Sequence, residues 1–454
     1  MPVLDKIQHF LNGARNGDLQ DPQVFVDFSR QFDSVIIWGA GNLGSALGKK
    51  LAEVGTTVSC YWDTQAGKIK TCNDIPVTTP FGGSFDKRTT LILFCIGNVA
   101  VGPNIYRQLA ENGWMHVVHG NDLLQGLLCP LSNDRPANAR ICNSFDICSV
   151  CSCERLHNIV RASAARKQNI RQDETLSFDR VHFITNNVCN LKCTHCFLYI
   201  NSYRKERKQN VKTAQMLQDI DVVLRAVHSF GVVNMFGGEP FMHPDIDRLI
   251  GQVLSHDNYG AVIVNSNGVA RIKPQQLASM KDGRVRLAFS NYLEVIDEKK
   301  KTVFFKNIEN AKLAGINAKY QNTLPTWNIS STLEDKGDSV ETMIQKKNTC
   351  GVRYLYVFDG KLFPCSFTLS IHDLGVADYE NDYVCLDPNK SPEEIRDSIR
   401  ALIARPHYRA CGHCEAFGSP ALTSSAAEQG FDKRYALPDA LQKRRIKIPV
   451  VAAY

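Results

Sequence analysis

Three cysteines at the spacing C-x3-C-x2-C, Cys189, Cys193 and Cys196, follow an apolar, strand-like run, Val181-His182-Phe183-Ile184-Thr185. A cubane 4Fe-4S cluster has four irons and is normally held by four thiolates, so a triplet leaves one iron open to an outside ligand. An open coordination position implies chemistry rather than support alone. The alternative is a structural zinc ion, with His195 a tempting donor, yet zinc wants four tetrahedral ligands and no obvious local fourth is present. Sixteen cysteines in 454 residues also raise the question of disulfides. The first residues, however, are broken by Asp5, Lys6, Gln8 and His9, unlike a signal peptide, and no uncharged apolar run reaches membrane-spanning length. The expectation is a cytoplasmic chain with no membrane partner, whose reduced thiols serve metal or clusters.

The length suits about three domains. After a helical segment at 1–32, residues 33–125 read as a Rossmann-like α/β domain. Ser34-Val35-Ile36-Ile37-Trp38 runs into Gly39-Ala40-Gly41-Asn42-Leu43-Gly44, then a helical pattern, then a strand ending at Asp63, nineteen residues after the last glycine. This is G-x-G-x-x-G between strand and helix. Gly39, Gly41 and Gly44 would let the backbone approach a pyrophosphate at the helix start, and Asp63 would bind ribose hydroxyls. A nucleotide or nucleotide sugar is the expected ligand; a fold kept only for packing is the alternative. The connector at 126–175 holds Cys142, Cys148, Cys151 and Cys153, a density that suits zinc, a further cluster or a reduced structural knot.

Residues 176–330 alternate strand and helix, as parallel β/α units do. Val232 to Phe236 ends at Gly237-Gly238-Glu239-Pro240, where glycines bring backbone close to a ligand and Glu239 can accept hydrogen bonds from an ammonium group. The next strands end in Ser266-Asn267-Gly268 and Ser290-Asn291. Residues 331–420 add Cys350, Cys365 and the pair Cys411, Cys414, with Asp359-Gly360 as a hairpin signal between two apolar runs. Four protein thiolates make a closed cluster suited to electron transfer or structure, with zinc as the alternative.

The cysteine triplet followed by Gly-Gly-Glu resembles the signature of the radical SAM superfamily. The resemblance implies a partial (β/α) barrel whose open iron binds S-adenosylmethionine, with His195, Gly237, Gly238, Glu239, Pro240, Ser266, Asn267 and Ser290 around that cofactor. Many relatives carry Asp where Asn291 stands. The later cysteines resemble a twitch domain, a short SPASM-like α+β module with one auxiliary 4Fe-4S cluster on Cys350, Cys365, Cys411 and Cys414. The whole is thus expected to be α/β: a Rossmann-like domain, the barrel core and a small twitch domain, with a basic tail at 421–454 that packs on the barrel or meets a partner.

Within that family the cysteine layout is similar to that of the 2-deoxy-scyllo-inosamine dehydrogenases, which oxidise a cyclitol alcohol. The resemblance implies a sugar, cyclitol or nucleotide-linked sugar as substrate, dehydrogenation first and epimerisation second, the latter needing a thiol such as Cys385 to return hydrogen. An external electron donor such as flavodoxin or ferredoxin is implied. A peptide maturase is a second enzyme reading, against which stands the glycine-rich α/β segment in the place of a winged helix. A non-catalytic electron carrier or nucleotide sensor would not need an open iron. Net charge is +7, with basic runs at Arg204-Lys205-Glu206-Arg207-Lys208 and Lys443-Arg444-Arg445, read as solvated surface. No nucleic-acid module is evident. Cys60, Cys72, Cys95 and Cys129 are assigned no role.

Overall fold

The computed structural model describes residues 3–16, 20–95, 102–128, 161, 164–165, 167–171, 174–320, 326–328, 331–350, 354–415, 423–431 and 433–437. Cys129, the four connector cysteines and the Lys443-Arg444-Arg445 run lie outside the described residues. Two compact units emerge, one of Met1–Arg180 with His228–Val233 and Asp257–Ala261, the other of the remaining chain. Among the described residues no helix is long and apolar enough to cross a membrane.

The first unit contains α1 (Val3–Asn16), α2 (Pro22–Ser29), β1 (Ser34–Trp38), α3 (Asn42–Glu53), β2 (Cys60–Trp62), β3 (Thr71–Cys72), β4 (Ile75–Thr78), β5 (Thr90–Phe94), α4 (Gly102–Glu111), β6 (His116–His119) and α5 (Gly120–Leu128). Its sheet has the order β3-β4-β2-β1-β5-β6, and β1 pairs in parallel with both β2 and β5. Strand order therefore reverses between β1 and β5, the topology of a doubly wound fold. Strand β1 is apolar on both faces because the core lies on both: Val35 and Ile37 join one apolar cluster, Ile36 and Trp38 the other. Ile7, Phe10 and Phe25 belong to the first cluster, so the helical segment at 1–32 is part of this core rather than an appendage.

The chain continues with β7 (Ser177–Ile184), α6 (Thr213–Ala226), β8 (Ser229–Phe236), α7 (Ile246–Leu254), β9 (Tyr259–Ser266), α8 (Pro274–Ala278), β10 (Val285–Phe289), α9 (Glu298–Leu313), β11 (Ala318–Tyr320), β12 (Thr326–Asn328), α10 (Val340–Thr349), β13 (Tyr354–Phe358), β14 (Lys361–Phe363), α11 (Ser366–Asp373), β15 (Val384–Cys385), α12 (Pro392–Ala404) and β16 (Thr423–Ser425). An eight-stranded sheet runs β11-β10-β9-β8-β7-β13-β14-β15. Strand β10 pairs in parallel with β9 and β11, as alternating β/α units require. Beyond β7 the sheet turns antiparallel through the hairpin β13–β14, whose Asp359 and Gly360 both have positive φ (45° and 77°), as a tight two-residue turn demands. The hairpin carries neither Cys350 nor Cys365: Cys350 closes α10 and Cys365 is the N-cap of α11. The segment expected to be a separate small domain thus shares one sheet with the core strands.

Candidate active site

The loop after β7 is pinned at its base. Asn187 exchanges backbone and side-chain hydrogen bonds with Gln209, whose N–H donates to Asn187 Oδ1 at 2.6 Å, and Asn187 Nδ2 donates to Arg207 O at 3.0 Å. From the neighbouring strand end, Gly238 N–H donates to Asn186 O at 2.9 Å and Glu239 N–H to Val188 O at 2.8 Å. A Cβ on Gly238 would stand 2.2 Å from Val188 O, so this backbone contact requires glycine. The Gly-Gly-Glu stretch and the cysteine loop are therefore joined directly, main chain to main chain.

On that loop the thiols of Cys189 and Cys193 accept hydrogen bonds. Leu191 N–H and Asn267 Nδ2 approach Cys189 Sγ at 3.4 and 3.6 Å, and Gln429 Nε2 approaches Cys193 Sγ at 3.5 Å. Tyr199 N–H donates to Cys196 O at 2.8 Å, closing the turn that carries the third thiol. Burial pushes the Cys189 thiol up to about 12, with the Glu239 carboxylate and the other two thiols adding to it. Burial likewise holds Cys193 at about 12, the Cys196 thiol adding, and raises Cys196. Buried thiols surrounded by N–H donors ionise when a cation shares the site. Among the described residues no three His, Cys, Asp or Glu side chains converge as ligands of a single ion. Three thiols on one loop are the donor set that leaves one iron of a 4Fe-4S cluster open, and they fit such a cluster.

Glu239 is fully buried and its carboxylate is engaged: Oε1 accepts from Phe241 N at 3.2 Å and Ser266 Oγ at 2.9 Å, and Oε2 accepts from Asn267 N at 2.8 Å. Burial raises it to about 7, against the downward pull of those three donors. In this structure Glu239 works first as a clasp between two strand ends. Asn267 extends the clasp to the cysteine loop, donating to Asn190 Oδ1 at 2.7 Å. Pro240 opens a short 3-10 turn capped by Glu239. Ser290 N–H donates to Ser266 O at 2.9 Å, bringing the third polar strand end alongside. His195 Nδ1 meets the Tyr435 hydroxyl at 3.0 Å.

Tyr292 was not singled out by its sequence context. Burial raises its phenol well above the ordinary range, and Cys193, Cys196 and Cys189 all add to that rise. Its ring meets Trp327 edge-on at 5.8 Å. No sequence signal marks it beyond its place two residues after a strand-ending serine.

The later cysteines lie within electrostatic reach of one another. Burial pushes Cys365 up to about 12, with Cys414 and Cys411 adding, and Cys411 is raised to about 11 by burial, with Cys414 and Cys350 among the contributors. Cys365 Sγ accepts from Thr368 N at 3.3 Å, and Ser331 Oγ reaches Cys414 Sγ at 3.6 Å. Asp382, buried, accepts from Ala410 N at 2.9 Å, and Lys346 Nζ donates to Cys414 O at 2.6 Å; together they shape the Cys411–Cys414 turn. His413 lies inside that turn but bonds Leu333 O and the Tyr379 hydroxyl, each at 3.0 Å. At its other end α11 brings Asp373 to Asn187 Nδ2 at 3.5 Å. Cys385 is exposed on β15, the terminal strand of the sheet.

In the first unit Gly44 packs so closely that an added Cβ would stand 1.8 Å from Gly39 O, whereas one on Gly41 would meet nothing within 4 Å. Asp63 accepts from Ala40 N and Gln65 N, each at 2.8 Å, so its carboxylate braces the glycine-rich turn.

Residues 183–325 match the model of the Radical SAM superfamily. Among solved structures the chain is similar to BtrN in complex with AdoMet and 2-DOIA, at 13% identity over 52% of this chain and 93% of that one, with a TM-score of 0.32. It is similar to native anSMEcpe with bound AdoMet at 11% identity, covering 53% and 84%, with a TM-score of 0.34. A third similarity is to Streptococcus suis SuiB bound to precursor peptide SuiA, at 17% identity, covering 49% and 46%, with a TM-score of 0.26.

Proposed function

We propose that this chain, with its radical SAM superfamily domain at residues 183–325, is an enzyme that oxidises a sugar, cyclitol or nucleotide-linked sugar by hydrogen-atom abstraction. A 4Fe-4S cluster on Cys189, Cys193 and Cys196 would supply the electron that cleaves bound S-adenosylmethionine to the 5'-deoxyadenosyl radical. The observation that carries this reading is the main-chain joint between Gly238-Glu239 and Asn186-Val188, which holds the three-cysteine loop beside the polar ends of neighbouring strands.

Gly237, Gly238, Glu239 and Pro240 are assigned the methionyl end of the cofactor, Ser266, Asn267 and Ser290 the ribose side, and His195 the flank of the cysteine loop. Cys350, Cys365, Cys411 and Cys414 are the four ligands of an auxiliary 4Fe-4S cluster, a closed set suited to electron transfer. Dehydrogenation removes a hydrogen atom from carbon, a proton from the hydroxyl and one electron, so a nearby electron acceptor completes the balance. Cys385, exposed on an edge strand, is a poor source of hydrogen for a buried radical, which supports oxidation over epimerisation. The doubly wound first unit, with Gly39, Gly41, Gly44 and Asp63 at its turn, is assigned the nucleotide of the substrate or a free nucleotide. A flavodoxin or ferredoxin would supply electrons from outside.

Anaerobically reconstituted full-length protein, given dithionite and S-adenosylmethionine, should release 5'-deoxyadenosine and methionine. Its absence from iron-loaded samples would overturn the catalytic reading. A panel of nucleotide sugars and free cyclitols, read by carbonyl product and by binding to the full chain, tests the substrate class; activity only on a peptide would replace it.

A further inference from the structure

Residues 423–431 and 433–437 lie outside the matched family region, and nothing in their sequence marks them for chemistry. The structure lays them along the cysteine loop. Strand β16 pairs with β12, and the chain beyond it makes an antiparallel bridge between Gln429 and Cys193. Thr194 N–H donates to Glu428 O at 2.7 Å and Gly430 N–H to Lys192 O at 2.8 Å. Asn201 Nδ2 donates to both Cys193 O, at 2.9 Å, and Gly430 O, at 3.1 Å. Farther along, Ser202 Oγ donates to Tyr435 O at 2.6 Å, and the Tyr435 hydroxyl meets His195.

The side chain of Gln429 has one orientation open to it. Its Oε1 accepts from Lys192 N at 2.9 Å, and its Nε2 donates to Ala427 O at 2.6 Å. A backbone N–H only donates and a carbonyl only accepts, so the amide cannot flip. The second Nε2 hydrogen is left to Cys193 Sγ, at 3.5 Å. Ala427 holds a left-handed conformation, φ 58°, which a non-glycine residue adopts at a cost, so the turn that aims Gln429 is maintained by its surroundings.

We propose that Gln429 is a positioning residue that sets the reduction potential of the core cluster through an N–H···S bond to the Cys193 thiolate; this rests on the function proposed above. Donors to cluster sulfurs stabilise the more negative, reduced state and so raise the potential. The strap thereby makes the segment after β16 part of the machinery that accepts the first electron.

Gln429→Glu keeps the acceptor for Lys192 and removes the donor to sulfur; Gln429→Met removes both. In iron-loaded full-length protein, an EPR-monitored redox titration of the signal that shifts on adding S-adenosylmethionine should show a more negative midpoint in both variants. A tenfold fall in the reduced-to-oxidised ratio at a given potential is expected for Gln429→Glu, which is 59 mV for a one-electron couple. The auxiliary signal should keep its midpoint. An unchanged core midpoint in either loaded variant overturns the proposal. Should neither variant load iron, wild-type protein carrying 15N in its glutamine side chains decides: pulsed EPR must detect a nitrogen coupled to the reduced core cluster, and its absence also overturns the proposal. Wild-type protein without any signal responsive to S-adenosylmethionine would instead bring down the catalytic reading itself.

Discussion

A single hydrogen atom in place of a side chain decides whether the cysteine loop can sit where it does. Gly238→Ala would drive a methyl group into Val188 O, 2.2 Å from the ideal Cβ, and backbone cannot yield as a flexible side chain would. The expected cost is ~1–3 kcal/mol, from overpacking. Denaturant melts of the variant should show it, together with reduced iron content at the core site; a melt equal to wild type would mean the two strand ends are not locked as described. Glycine at this position was legible in the sequence because of its place after an apolar strand. The engagement of Glu239 and Asp63 was not. Each sits where an acid is expected to meet a ligand, yet each carboxylate accepts two or three hydrogen bonds from its own chain, from donors far apart in sequence such as Asn267 and Ala40. Sequence spacing finds the acid, whereas only the folded chain shows its partners.

Strands and turns were the most readable elements. The strand expected to end in Ser290-Asn291 is present as Val285–Phe289, and the Asp359-Gly360 pair makes the expected hairpin. Local chemistry specifies both. The turn bearing Cys411 and Cys414 depends instead on Asp382, whose carboxylate accepts the Ala410 N–H. Asp382→Ala should leave that donor unpaired, cost ~1–3 kcal/mol and lower auxiliary iron while the core signal responsive to S-adenosylmethionine persists. Equal loss of both signals would contradict a local role. Asp219 ties α6 to the hairpin turn by accepting from Gly360 N and Gln215 Nε2, each at 2.9 Å. Burial raises Asp219 from 3.8 to about 6, so the folded chain keeps this proton where the unfolded chain has lost it. The stability it contributes is complete below about pH 4 and is lost as pH rises through about 6. Between pH 4 and pH 7 the stability of wild type relative to Asp219→Asn should therefore fall by roughly 2–3 kcal/mol; a constant difference would refute the shift.

For the molecule as a whole, two separate thiol groups predict about eight irons per chain after reconstitution, as two cubes. Cys365→Ala should retain about four, with the response to S-adenosylmethionine intact; unchanged iron would remove the auxiliary assignment. The two motifs, each between a strand and a helix, were legible in the sequence. The strap was not, because Gln429 and Cys193 are 236 residues apart and share no motif. Nor was the joining of β13 to β7, which makes one sheet of what reads as two segments. Helix α11 gives that union a mechanical meaning. It runs from Ser366, capped by Cys365, to Asp373, beside Asn187, and its eight residues rise about 12 Å. The helix is a strut of set length between Cys365 and the base of the cysteine loop, so any change in the spacing of the two regions has to come at its ends and not along its length.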